Sequence, residues 1–161
     1  MNWWRDDAAS ASVMTILLLP VLTVTLAGVL QLGALRVAVA RVHAAADLAA
    51  LVAVNDQDDD ELTRTGLLRL APDAAEVARH YLARELELSE PLLGTSAREI
   101  ANAADIAAYV LAPAYDARTG MRYDHPTIRI VADVPLRTPV FGALAFRPIT
   151  VVNVVVTSSP R

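Results

Sequence analysis

The chain has no cysteine and no lysine. Without cysteine there can be no disulfide, thiol nucleophile, thiolate metal site or thioether-linked lipid. Without lysine there is no phosphate-loop lysine, no Schiff base and no isopeptide cross-link; all 14 basic residues are arginine. Histidine is nearly absent, and His43, His80 and His125 are dispersed along the chain. There is no Gly-x-Ser-x-Gly elbow, no His-Glu-x-x-His pair and no glycine-rich phosphate loop. These absences argue against an enzyme, and no cofactor, metal ion or small-molecule substrate is expected. A net charge of -4 and a pI near 5.3 argue against nucleic acid as a partner, which would require a basic face.

What the chain does have is a long apolar run. Residues 8–35 contain no charged side chain. As a helix, those 28 residues would span about 42 Å, against a hydrocarbon core of roughly 30 Å. Trp3 and Trp4 precede the run, where aromatic rings favour the membrane interface, and Arg36 closes it. A cleavable secretory signal is the rival reading, with Ala38-Val39-Ala40 as its cutting site. The run is too long for a signal core, and Arg36 intervenes. A retained anchor over residues 1–36 is therefore expected, with membrane lipid as a partner. The short tail and the large remainder favour a single-pass protein of the cell membrane, its N-terminus cytoplasmic and residues 37–161 extracytoplasmic. Arg36 and Arg41, counted against Arg5, lean the other way.

Within the run, Pro20 frees a backbone carbonyl and is expected to bend the helix. Gly28 and Gly33 are five residues apart and cannot form a Gly-x-x-x-Gly seam. Gln31 is a polar group near the far edge, suited to interfacial solvation or to a partner. Residues 37–54 are rich in alanine and valine and should continue the helix, with His43 and Asp47 paired at i, i+4. So apolar a helix outside the membrane must pack against something, first of all its own C-terminal domain.

Asp56, Asp58 and Asp60 alternate as in a calcium loop, but Glu61 and Leu67 occupy the places that need glycine and a bidentate glutamate. A solvated loop capping the next helix is the plain reading. A short helix is expected over residues 61–70 and a clearer one from Pro72-Asp73 to about Leu88. The apolar side of the second would hold Val77, Ala78, Tyr81, Leu82 and Leu88. His80 and Glu85 do not share the i, i+4 spacing of metal ligands. Residues 91–96 read as a linker. Though its alanines also allow a helix, the segment after Ala97 changes period: Ile106, Ala108 and Val110 alternate with Asp105, Ala107 and Tyr109. Ile128, Ile130, Ala132, Val134 and Leu136 alternate with Thr127, Arg129, Val131, Asp133 and Pro135, as in a half-buried strand. Residues 149–157 are β-branched almost throughout and read as a strand covered on both faces. Residues 116–120 form a turn. The expected fold class is α+β: a long transmembrane helix, a helical segment over 37–90, and a mainly antiparallel β region over 97–161.

Ser12-Val13-Met14, Leu19-Pro20, Gly28, Gln31 and Gly33 together resemble the opening of TadE/TadG-like proteins, minor pilins or pseudopilins of the tight-adherence (Flp-type) pilus machinery. The stretch around Asp47, Ala44-Ala45-Ala46-Asp47-Leu48-Ala49-Ala50-Leu51, is similar to the segment that comes after the anchor in TadG-like chains. The resemblance implies a pilin-like fold, an assembly role, and Pro20, Gly28, Gln31, Gly33 and Asp47 as membrane or assembly residues. It also implies partners among other pilin-like or pilus-assembly subunits. Registered on Pro20, the places where pilin processing uses Gly and Glu hold Ala9 and Met14. That points to a tip-type subunit or a non-polymerising anchor. A membrane-anchored binding protein unrelated to pili is the alternative. The two phenylalanines, Phe141 and Phe146, both fall in the connection before residue 149, an apolar stretch that would complete the core or contact a partner.

Overall fold

The computed structural model describes residues 3–138 and 149–160, with side chains from residue 13 onward except that of residue 59. Phe141 and Phe146 lie outside the described residues. The architecture is α+β, as the sequence pattern implies. The longest element, α1 (Trp3–Asn55), runs through Pro20 and past Arg36 without interruption. Residues 13–26 are mostly apolar and exposed on every side, and none of the helix's most apolar window is buried in the molecule. The hydroxyls of Thr23 and Thr25 donate to the carbonyls of Leu19 and Val21, each at 2.8 Å, so they need no water. The expected His43–Asp47 pair is not among the ion pairs of the described residues.

From Gln31 onward, one side of α1 turns inward. Gln31, Ala38, Val42, Ala45, Ala46, Ala49, Ala50, Ala53 and Val54 are buried, at the spacings of a single helix face. Most are alanine, which lets neighbouring backbones approach closely. Against them pack α3 (Ala74–Glu87), through Ala74, Ala78, Leu82 and Leu86, and the inner face of a three-stranded antiparallel sheet. The sheet order is β1 (Asp105–Tyr109), β4 (Thr127–Arg137), β5 (Ile149–Ser158). Ile128, Ile130, Val134, Leu136 and Val154 fill its inner face.

The joints between these elements follow local chemistry. Asp58 caps α2 (Asp59–Thr65) by accepting from the Glu61 amide at 3.1 Å, the capping role expected of the acidic loop. The helix stops well short of residue 70, because Gly66 adopts φ 71° and donates to the Leu62 carbonyl. In α3 the expected apolar side needs one correction. Leu86, four residues after Leu82, holds the core position, and Leu88 is 77% exposed. Residues 91–96 are not a bare linker. A 3-10 turn (Glu90–Leu92) is followed by a bridge between Leu93 and Leu136. Gly94 then donates to the Pro135 carbonyl at 2.7 Å, so close that a Cβ at residue 94 would lie 3.1 Å from the Pro135 Cβ. α4 (Ala97–Ala103) comes next, fixed by a capping box between Ser96 and Glu99. β5 is an edge strand with only one face covered; Ile149, Val151 and Val155 remain exposed on the other.

Candidate functional site

The five helix residues singled out from the sequence do not form one site. At about 100° per residue, Gly28 and Gln31 lie on the side of α1 that continues into the buried stripe of Leu35, Ala38 and Val42. Gln31 is only 5% exposed, so it belongs to the packed face and not to interfacial solvent. Gly33 lies about 200° round from Gln31. It shares the opposite, open side with Val37, Ala40, Ala44, Leu48 and Leu51. A Cβ added at Gly28 or Gly33 would meet nothing within 4 Å. Pro20 lies farther down the helix, in the stretch where every described side chain is exposed.

α1 therefore presents two surfaces with different fates. One is consumed by the chain's own domain. The other is a narrow stripe of small and aliphatic residues that starts within the uncharged run and continues beyond Arg36 for about four turns. Leu48 and Leu51 are exposed large side chains on it, outside the uncharged run. Arg41 and Asp47 flank it on opposite sides.

A second cluster is marked in the sequence pattern only by a turn. Alternation along β4 puts Arg129 on the outer side of the sheet. The short hairpin of β2 (Ala114–Tyr115) and β3 (Arg122–Tyr123) supplies Asp116 to that face, and Arg129 is 3% exposed. Its Nη2 donates to Asp105 Oδ2 at 2.9 Å, and its Nε lies 3.4 Å from Asp116 Oδ2. Asp116 also accepts from the Thr119 hydroxyl at 2.6 Å and from the Arg118 amide at 2.9 Å. Arg118 pairs with Asp105. The Tyr109 and Tyr123 rings stand beside the cluster, 5.0 Å apart. The hydrogen bond from Thr119, reinforced by Tyr109, the Arg118 amide and the Arg129 charge, pulls the Asp116 carboxyl down to about 2 against the opposing effect of burial. Burial, with the Asp116 carboxylate beside it, pushes the Tyr109 hydroxyl up to about 12. Two carboxylates face two guanidinium groups and fasten the hairpin to the sheet, although the buried Arg129 Nε and Nη1 make no hydrogen bond among the described residues. The signal present in the sequence is the pair Asp116 and Gly120 at a turn; the partner, Arg129, is too distant in the chain to be paired by spacing.

Among the described residues no group of three or more His, Asp or Glu side chains could hold a metal ion. An open groove between α3 and α4 is lined by Arg79, His80, Arg84, Glu87 and Arg98, with Arg98 and Glu87 3.6 Å apart. Its charges are mixed and exposed. His80, in the groove wall, sets its ring edge-on to Tyr81.

Comparison with known proteins bears on the helix. The family model "Putative Flp pilus-assembly TadE/G-like" matches residues 9–56. The match covers α1 from residue 9 to its end and stops where the acidic loop begins, a span that contains Pro20, Gly28, Gln31, Gly33 and Asp47. No curated protein and no solved structure matches the chain.

Proposed function

We propose that this protein is a non-catalytic assembly component of a tight-adherence (Flp-type) pilus or a related secretion apparatus. In this reading it is a minor pilin or pseudopilin, either at the tip or as a non-polymerising anchor. The observation that carries it is the coincidence of the family match with α1, the one candidate membrane span among the described residues. The N-terminus is cytoplasmic and the domain after Arg36 extracytoplasmic. α1 holds the domain at the membrane, and its open stripe of Gly33, Val37, Ala40, Ala44, Leu48 and Leu51 receives the apolar helix of another pilus-assembly subunit. Small residues support that role because they let two helix backbones come close, and Leu48 and Leu51 gain by leaving water.

The test is complementation of a deletion strain for surface pili, with Ala44→Glu and Leu48→Glu as variants. Neither side chain is part of the packed core, so the domain should remain folded while piliation and co-purification with pilus subunits fall. Normal pili from the deletion strain itself would refute the assembly role.

A further inference from the structure

Two elements bring exposed aliphatic side chains to one end of the domain. Thr157, Ser158 and Pro160, at the end of β5, line a hollow with Leu51 and Asn55 at the C-terminal end of α1. A strand rises about 3.4 Å per residue, which puts Ile149 about 30 Å from Ser158. The buried stretch of α1 from Ala38 to Val54 is about 24 Å long. Ile149 is thus at the other end of the sheet, the end nearest the uncharged run. α3 arrives at the same end. Its approach is fixed by the bridge between Gln57 and Leu70, beside the C-terminal end of α1, and from there it packs back along the helix. Beyond its last turn, the Leu93–Leu136 bridge ties the chain to the sheet next to Ile149.

Leu88, Ile149 and Val151 are exposed at this end, and so are Arg36 and Arg137. Exposed apolar residues such as Leu67, Leu111 and Met121 occur elsewhere, so exposure alone selects nothing. Position does. Burial on α1 begins at Gln31, before Arg36 and still inside the uncharged run. The helix passes from that run into the domain without a break, so no linker lets the domain swing away.

We infer that the end of the domain bearing Leu88, Ile149 and Val151 rests in the headgroup region of the bilayer, a second contact with lipid beside α1. The surface lies at the level where α1 leaves the uncharged run. Aliphatic side chains enter the boundary, and Arg36 and Arg137 keep their charged heads at the phosphates while their stems lie along apolar surface. Glu87 and Glu90 are exposed nearby, so the contact is apolar in the main and does not require anionic lipid. This rests on the anchoring of α1 and not on the pilus role.

The absence of cysteine makes a direct test available. The full chain is reconstituted in phosphatidylcholine nanodiscs with one environment-sensitive fluorophore at Leu22→Cys, Leu88→Cys, Val151→Cys or Val155→Cys. Quenching is then read with lipid carrying a nitroxide at a shallow position. Val155 is the control: it is exposed on the same strand face, 53% against 63% for Val151, but about 14 Å farther from the anchor. Labels at Leu88 and Val151 should be quenched at least about twofold more than the label at Val155, and more than the label at Leu22, which lies deeper than the nitroxide and reports the anchor by its blue-shifted emission. Equal, water-like quenching at Leu88, Val151 and Val155 overturns the inference. A water-like label at Leu22 overturns the anchoring and the inference together.

Discussion

At the scale of single residues, Arg129 decides how the outer face of the sheet is closed. Removing its charge leaves the buried Asp116 carboxylate without its guanidinium partner, while Asp105 keeps Arg118. Arg129→Met should lower the stability of the full chain in detergent by on the order of 3 kcal/mol. Near-ultraviolet circular dichroism, which reads Tyr109 and Tyr123, should report the loss together with the loosened hairpin. The cluster also gives stability a dependence on pH at both extremes. The Asp116 carboxyl is lowered from 3.8 to about 2 in the folded chain. The unfolded chain therefore takes up this proton first as pH falls. The contribution of Asp116 is complete above about pH 4 and is lost as pH falls towards 2. Tyr109 is raised from 10.0 to about 12, so the unfolded chain loses its proton first. Its contribution is complete below about pH 10 and is lost as pH rises towards 12. Asp116→Asn should flatten the acid limb of a melting-temperature profile and Tyr109→Phe the alkaline limb; unchanged limbs would mean that other groups set them. Of this cluster only the turn at 116–120 is legible in the sequence. Period-two alternation sorts residues by sheet face, and it cannot tell that a hairpin brought in by the fold covers the outer one.

At the scale of elements, sequence patterns are reliable where the signal is local and lose accuracy where two local signals compete. The long helix, the turn at 116–120 and both long strands arise directly from apolar runs, turn residues and β-branching. α4 is hidden because the spacing after Ala97 suggests strand, although Ser96 and Glu99 spell a capping box. The end of α2 is obscured because Leu67, Leu68 and Leu70 prolong an apolar pattern that Gly66 has already stopped. β5 looks covered on both faces because β-branched residues are equally at home on a packed and an open face. In α3 the helical spacing places Leu86 in the core and not Leu88, a distinction that mutagenesis can read. Leu86→Ala should cost about 2–5 kcal/mol, since it empties a fully buried position. Leu88→Ala should change the stability of the detergent-solubilised chain by less than about 0.5 kcal/mol. Equal effects in chemical denaturation would mean that the register of α3 is wrong.

At the scale of the molecule, one helix serves two solvents, and the boundary between anchor and domain does not fall at the end of an element. Before Arg36, α1 exposes apolar side chains on nearly all sides. Beyond it, the same helix supplies a large part of the domain's core: Ala49, Ala50, Ala53 and Val54 have no exposed surface at all. The domain thus owns the second half of α1 as fully as the membrane is read to own the first. A composition shift near residue 36 is visible in the sequence. That residues 37–54 must pack against something, first of all their own domain, is also legible from their apolar composition; which face is buried, and against which elements, is not, because alanine on every side leaves the face unmarked. The consequence is a sharp dependence on where the chain is cut. A fragment of residues 36–161 retains the buried face from Ala38 onward and should fold in water, giving a dispersed amide spectrum and a cooperative melt. A fragment of residues 56–161 keeps α3, α4 and every strand. It nevertheless opens the alanine-lined face of α3 and the inner face of the sheet to water, and should collapse without fixed tertiary structure. Cooperative melting of the shorter fragment, at a temperature close to that of the longer one, would show that α1 merely leans on a domain that is stable without it.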